Sequence, residues 1–364
     1  MAKTVVGRLL TAAKMPMTSW SFSLRHVHTE RGLGEDVRKG SKVNEEASLP
    51  LIQRCKNLLA ANWRGQLSSV ISEEEKVHGS LAQYALVSGQ LVVWLPNDSP
   101  HASNLLMDSR GSFVVGHTDP RPLIHALREV GHVPPRVIVL GLFDPIPASE
   151  TEHIRKRVIK LVSSTKQAVE NAGPCTHSIL KEAGTAVDAR FKALDAMIHS
   201  SMDEFSMYSL NPRTCQYVDL VGGRHEVEVT DLAAATVDHL CPVLAGLIEG
   251  INRNDTRRLA LIMFCAVYMH VRAEDAYIFA ADRWGINLLA KVDESKAGDV
   301  DTKQDEPSSQ SPAEKKWREF RFAFSQEVRN TEQFCTLLVE MERESLETLT
   351  KAKELYAGLE GSLT

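Results

Sequence analysis

Apolar positions recur at helical spacing in the segment LPLIQRCKNLLAAN, where Leu51, Ile52, Cys55, Leu58 and Leu59 predict a helix. From Gly65 onward the pattern changes to short apolar runs broken by turn residues. GQLSSVIS, GSLAQYALV, QLVVWLP, SFVVGH and PRVIVLGLFDPI read as strands, with SEEEKVHG as a charged turn, Ser88-Gly89 as a tight one, and Pro134-Pro135 entering the last run. Such strands with little helix between them predict a small antiparallel barrel. TEHIRKRVIKLVSSTKQAV then gathers Ile154, Val158, Leu161 and Val162 on one helical face. The stretch 172–204 has weaker periodicity and reads as loop and helix. EFSMYSLN and CQYVDLVGGRHEVEV read as a strand pair turning at Asn211-Pro212, so the barrel is expected to close with strands from beyond residue 200.

The last third has a different order. Pro242 is tolerated only in the first turn of a helix, which predicts one helix from Pro242 to Asn252 and a second from Thr256 to Phe264. AVYMHV, AYIFAA and INLLAK read as strands, the last two joined by Asp282-Arg283-Trp284-Gly285. VDESKAGDVDTKQDEPSSQSPAEKK lacks the apolar content needed to bury a core and is expected to be disordered. EFRFAF resumes as a strand. Asn330 and Gln333 have capping-box spacing ahead of a final helix bearing Phe334, Leu337, Leu338 and Met341. The fold class is therefore α+β. A barrel domain is expected over 49–230 and a smaller α+β domain over 231–292 plus 315–358, with an acidic insert at 293–314.

Composition narrows the function classes. The chain has 364 residues, 43% hydrophobic and 24% charged, with a formal charge of −5. That balance leaves no basic footprint for nucleic acid, and no apolar run reaches the roughly 20 residues needed for a membrane span. Six cysteines without a CxxC pair make neither a zinc site nor a disulfide framework. The first residues stand apart: Lys3, Arg8, Lys14 and Arg25 precede the first acidic residue, Glu30, and Val5, Val6, Leu9, Leu10 and Ala13 share a helical face. Residues 1–30 therefore read as an organelle-targeting presequence, mitochondrial rather than chloroplast, followed by a polar spacer over 31–48.

Candidate chemistry concentrates in HASNLLMDSRGSFVVG, from His101 to Gly116. His101, Asn104, Arg110 and Ser112 are of the types that hold a phosphate or another anion at a barrel rim, and they are the candidate cofactor-binding residues. The same segment has a local role available. Ser99 can cap a short helix, and Asp108 with Arg110 can shape the turn after it. Seven histidines (His78, His101, His117, His125, His132, His225 and His270) are available to haem iron, and none has a neighbour that singles it out. Gly222-Gly223 reads as a bend, and Arg136 enters an apolar strand. No catalytic nucleophile–base arrangement and no metal-ligand cluster is predicted.

The order of these features resembles a known family. Gly79-Ser80 opening a strand, LVVWLPNDSPHASNLLMDSRGSFVVG, PRVIVLGLFDPI, EFSMYSLNP and QYVDLVGG are similar to the FMN-binding split barrel of pyridoxamine-phosphate-oxidase-like proteins, in their HugZ-type haem-utilisation branch. Asn252, Phe264-Cys265, Val267-Tyr268, Asp282-Arg283-x-Gly285 and FRFAFSQEV resemble the closing domain and tail of plant glutamyl-tRNA-reductase-binding proteins. The resemblance implies a split barrel, a homodimer, and FMN or haem as cofactor. Two departures count against that chemistry. Where the branch carries Met-Asn-x-Asp-His, this chain has Ile251-Asn252-Arg253-Asn254-Asp255, and Tyr84–Pro96 holds no basic residue to clamp an FMN phosphate. The expected function is thus a non-enzymatic binding or regulatory protein linked to haem or tetrapyrrole metabolism, with a protein partner. The alternative is an FMN- or haem-dependent oxidoreductase. On this reading the His101–Gly116 loop is the family's cofactor-side loop, retained as architecture.

Overall fold

The structure is a computed structural model, and it describes residues 49–71, 76–116, 121–183, 185–199, 201, 203–293 and 315–362. The presequence and spacer (1–48) and all but the first residue of the acidic insert (293–314) lie outside those residues.

Helix α1 (Leu51–Ala61) leads into strands β1 (Arg64–Ile71), β2 (Lys76–Val87) and β3 (Gln90–Pro96). Helix α2 (Pro100–Met107), strand β4 (Arg110–Gly116), helix α3 (Arg121–Glu129) and strand β5 (Arg136–Pro145) follow. Helices α4 (Ala148–Glu170), α5 (Pro174–Ala183) and α6 (Thr185–His199) precede strands β6 (Phe205–Val218) and β7 (Arg224–Val227). The sheet order is β3-β2-β1-β4-β5-β6, and β6 pairs back onto β3 from Leu91↔Leu210 to Pro96↔Phe205. Six antiparallel strands thus close into a barrel, the architecture expected from the sequence, with β7 added on the edge of β6.

Alternation fills the interior. Leu67, Tyr84, Val93, Phe113, Val139, Phe143 and Leu210 point inward and are buried, and Cys55, Leu58 and Leu59 of α1 join them. At ~25 cal/mol per Å2 of apolar area, each buried residue of this size contributes about 2 kcal/mol. Outside the barrel, Ala85, Val87, Val92 and Trp94 pack against Ile154, Val158 and Val162 of α4 and against Leu194 and Ile198 of α6.

The second unit begins with α7 (Val229–Ala234), α8 (Cys241–Arg253) and α9 (Asp255–Tyr268). Strands β8 (Ala273–Asp282), β9 (Gly285–Asp293) and β10 (Lys315–Ala323) form an antiparallel sheet in the order β10-β9-β8, and α10 (Thr331–Ser362) closes the chain. Asn330 caps α10, its Oδ1 accepting from the Gln333 N–H at 2.8 Å, as the spacing predicted. The second core holds Leu247, Ile251, Leu261, Phe264, Ile278, Leu288, Phe322 and Phe334, together with Ile179 and Leu180 of α5. So α5, which falls within the 49–230 segment, contributes to the core of the second unit. Gly250 explains the fit: a Cβ there would collide with the Ile179 carbonyl.

The structure departs from the sequence reading at three places. Asn211-Pro212 is not a turn: β6 runs unbroken through it, and pairing passes from Leu140↔Thr214 to Gly141↔Pro212, leaving Arg213 as the extra residue of a bulge. Proline's missing N–H is tolerated there, and Gly141 is needed because a Cβ would strike the Asn211 carbonyl. AVYMHV is not a strand: α9 continues to Tyr268, and His270, with φ 56°, turns the chain while the Val271 N–H bonds back to the Cys265 carbonyl. The third concerns 121–129, to which the sequence reading assigned no element. It is α3, whose Leu123 and Leu127 seat the barrel unit against Tyr277, Phe279 and Leu289 of the second sheet.

Candidate functional site

The His101–Gly116 stretch crosses from the end of β3 to the start of β4 as α2. The Ser99 Oγ accepts from the Ala102 N–H at 3.2 Å, and Pro100 occupies the first turn. This fixes His101 and Leu105 on the inner side of α2, where both are buried, and leaves Leu106 and Met107 exposed.

His101 is enclosed by hydroxyls. Its Nδ1 lies 2.8 Å from the Ser69 Oγ of β1, and its Nε2 lies 2.9 Å from the Ser80 Oγ of β2. Asn104, one turn on, donates from Nδ2 to the same Ser69 Oγ at 3.0 Å. The His78 ring stands 4.6 Å from that of His101. Burial first, and the charge of His78 second, push the His101 pKa down to about 4. The imidazole is therefore neutral near pH 7, one nitrogen donating and the other accepting. Both are spent on serines, so no lone pair remains for an iron atom.

Arg110 and Ser112 lie elsewhere. Arg110 is turned back on Asp108, with its Nη2 2.6 Å from Oδ2 and its backbone N–H donating to Oδ1 at 3.0 Å. The guanidinium holds the Asp108 carboxyl down to about 2. Ser112 sits on the outer face of β4, opposite Ser68 and Leu140. Of the four candidate residues, the structure brings together His101 and Asn104, and it puts Ser112 on a different surface. They do not converge on one phosphate.

The positions tied to the second unit are also engaged. Asn252 is buried and exchanges two hydrogen bonds with Ile278 of β8, at 2.8 and 2.9 Å. Asn254 caps α9 by accepting from the Thr256 and Arg257 N–H groups, and Asp255 puts a negative charge in the first turn beside Arg258, 3.8 Å away. The residue that replaces the branch's histidine thus serves the start of a helix.

Sequence reasoning did not tie Ser69, Ser80 or His78 to His101. A signal was present: alternation puts His78 and Ser80 on the face of buried Ala82 and Tyr84, and Ser69 on that of Leu67. Polar groups at inward positions need partners. Serine and histidine in contact also form the pair that sequence reading did not find, but a histidine this easily deprotonated is a weak base at neutral pH. The arrangement is suited to holding α2 on the barrel. Among the described residues, no cluster of His, Cys, Asp or Glu could hold a metal ion.

No family model matches the chain, and no curated protein matches it in sequence. Among solved structures it is similar to a haem-binding protein from Mycobacterium smegmatis, at 17% identity and TM-score 0.48, over 82% of this chain and 99% of that one. It is also similar to the haem-storage protein HutZ from Vibrio cholerae (12% identity, TM-score 0.30, 45% of this chain and 92% of that one). A third is an FAD-binding protein from Mesorhizobium loti (14% identity, TM-score 0.28, 50% of this chain and 96% of that one). The fold is a split barrel. That assignment rests on the strand pairing of the chain itself, closed by β3 against β6.

Proposed function

We propose that this split-barrel protein is a binding or regulatory protein, working near haem or tetrapyrrole metabolism, that docks through its barrel and performs no redox turnover. The observation that carries this reading is that the residues of the cofactor-side loop satisfy one another. The two nitrogens of His101 are taken by Ser69 and Ser80, and Arg110 is taken by Asp108. FMN needs a charge-assisted clamp on its phosphate, each such bond contributing about 1.5–3 kcal/mol. The residues present do not fit that need.

The docking surface in this reading is the outer face of β2, β1, β4 and β5. Register aligns Leu81, Gln66, Val114 and Ile138 in one row and Gly79, Ser68, Ser112 and Leu140 in the next. Val77 and Leu81 of β2 and Leu140 of β5 are exposed by 69%, 68% and 43%, which leaves large apolar side chains open on one face of the sheet. Gly79, Ser68 and Ser112, side by side on β2, β1 and β4, let another backbone come close. A second copy of the chain, meeting this face about a two-fold axis, would cover it isologously. The wild-type chain is expected to have a dimer mass by sedimentation, and Leu81→Glu, on the exposed surface, to weaken association at least tenfold, about 1.4 kcal/mol, with an unchanged circular dichroism spectrum. A monomeric wild type would overturn the docking assignment.

The organelle setting rests on the acid-free, amphipathic start of the chain. Residues 1–48 fused to a fluorescent reporter should direct it to mitochondria and be cleaved at a site somewhere beyond His28. A diffuse cytosolic signal defeats that part of the reading.

A further inference from the structure

We propose that the outward face of α4 is a docking surface for a membrane bearing anionic lipid headgroups, held there by electrostatic adsorption and not by insertion. Residues 153–169 of α4 contain five Lys and Arg (Arg155, Lys156, Arg157, Lys160 and Lys166) and none of the chain's 47 Asp and Glu. In a chain of formal charge −5, this run is a local reversal of sign.

Packing divides the charge between two sides of the helix. Ile154, Val158 and Val162 are buried against Ala85 and Val87 of β2 and Val92 and Trp94 of β3. On the side towards α6, Arg155 donates from Nη2 to the Ile198 carbonyl, and Lys166 pairs with Asp195 at 2.5 Å. The outer arc is different. His153, Lys156, Arg157, Lys160 and Ser164 recur at intervals of three and four, and all five are exposed. Lys156 meets Glu152 at 3.7 Å in an open pair on the same helix, which solvent weakens. Among the described residues, Arg157 and Lys160 have no ion-pair partner.

The chemistry of the stripe selects among anionic partners. Residues 153–169 include no Phe, Tyr or Trp on which a base could stack, as a single-stranded nucleic acid requires. Ile159 and Leu161, exposed by 38% and 43%, flank the cations on either side instead. The helix has already spent its buried face on the barrel, so it cannot sink into a bilayer as a free amphipathic helix does. What it presents is a row of cationic heads with apolar shoulders, which suits the depth of lipid headgroups. Attraction of this kind acts over about one Debye length and is screened by salt. Because α4 covers β3 and the C-terminal half of β2, the proposal does not depend on the face built from β1, β4 and β5.

The test is sedimentation of the full chain with phosphatidylcholine vesicles, made with and without phosphatidylglycerol. The chain is expected to pellet only with vesicles that contain phosphatidylglycerol, and to be released at about 1 M salt, where the screening length falls to ~3 Å. Arg157→Glu combined with Lys160→Glu should weaken binding at least tenfold. Lys351→Glu combined with Lys353→Glu, the same charge change at exposed positions of α10, should not. Because the basic start of the chain also attracts such vesicles, acetylation of the wild type by acetic anhydride reads α4 itself. The anionic vesicles should shield Lys156 and Lys160 and leave Lys351 and Lys353 reactive. No binding, equal binding to neutral vesicles, equal loss in both variants, unshielded Lys156 and Lys160, or tighter binding to single-stranded RNA than to the vesicles would each overturn the proposal.

Discussion

Replacing His101 by alanine is expected to lower the free energy of unfolding by about 4 kcal/mol, whereas Arg110→Ala should change it by less than about 0.5 kcal/mol. Removing the imidazole opens a cavity under α2 and strips partners from Ser69 and Ser80 together, while Asn104 loses the anchored hydroxyl it donates to. Arg110 is 73% exposed, and its pairing with Asp108 stays within a surface turn. The two substitutions therefore separate a residue that holds the fold from one whose pairing stays at the surface.

His101 also gives wild-type stability a pH dependence of known sign. Its folded pKa is depressed from 6.5 to about 4, so the unfolded chain takes up a proton first as the pH falls. Stability from this group is complete above pH 6.5 and is lost as the pH drops through 4, by up to about 3 kcal/mol. Urea melts of the wild type and His101→Ala at pH 7 and pH 4.5 check both effects. A variant as stable as the wild type, or with the same pH slope, would contradict the assignment.

Asp238→Ala is expected to cost about 3–5 kcal/mol and to uncouple the two units. Asp238 is 2% exposed, and its carboxylate accepts from the Leu240 N–H at 2.9 Å and the Arg283 N–H at 3.1 Å, with the Arg283 guanidinium 3.7 Å away. Its own N–H donates to Asn57 of α1, and Arg283 reaches Gln53 of α1 and Glu327 beyond β10. The carboxylate thus joins the start of α8 to the β8–β9 turn, and Arg283, which it holds, reaches on to α1. Alanine would leave two buried N–H groups unpaired. A thermal scan of the variant should show two transitions, or one broadened transition at a lower midpoint. A single sharp transition at the wild-type midpoint would refute the coupling.

How much of this the sequence reveals depends on the range of the interaction. The barrel strands were legible because alternation is local: each of GQLSSVIS, QLVVWLP and SFVVGH announces an inner face by itself. The caps at Ser99 and Asn330 were legible for the same reason. Asn211-Pro212 misleads because its turn chemistry is real but is overruled by Gly141 on the neighbouring strand, which only the register brings opposite. AVYMHV misleads because its β-branched and aromatic residues suit a strand, whereas Tyr268, Met269 and Val271 pack against a largely helical core that the local sequence does not encode. The site was half legible. His101 and Asn104 do meet, but their partners Ser69 and Ser80 come from strands that precede them by 21 residues or more. Asp238 and Arg283, 45 residues apart, carry no sign in the sequence that they bond.

The central claim is that the cofactor-side loop serves the fold and does not bind a cofactor, and titration tests it most directly. Purified full-length protein would be titrated with FMN and, separately, with haemin, following absorbance and flavin fluorescence. A phosphate lacking one ionic clamp is held about 2 kcal/mol more weakly, or roughly thirtyfold, and His101 has both nitrogens engaged by serines, so neither ligand is expected to bind stoichiometrically at micromolar concentration. Stoichiometric micromolar FMN binding that Arg110→Ala weakens would contradict the account and make the chain a flavoprotein.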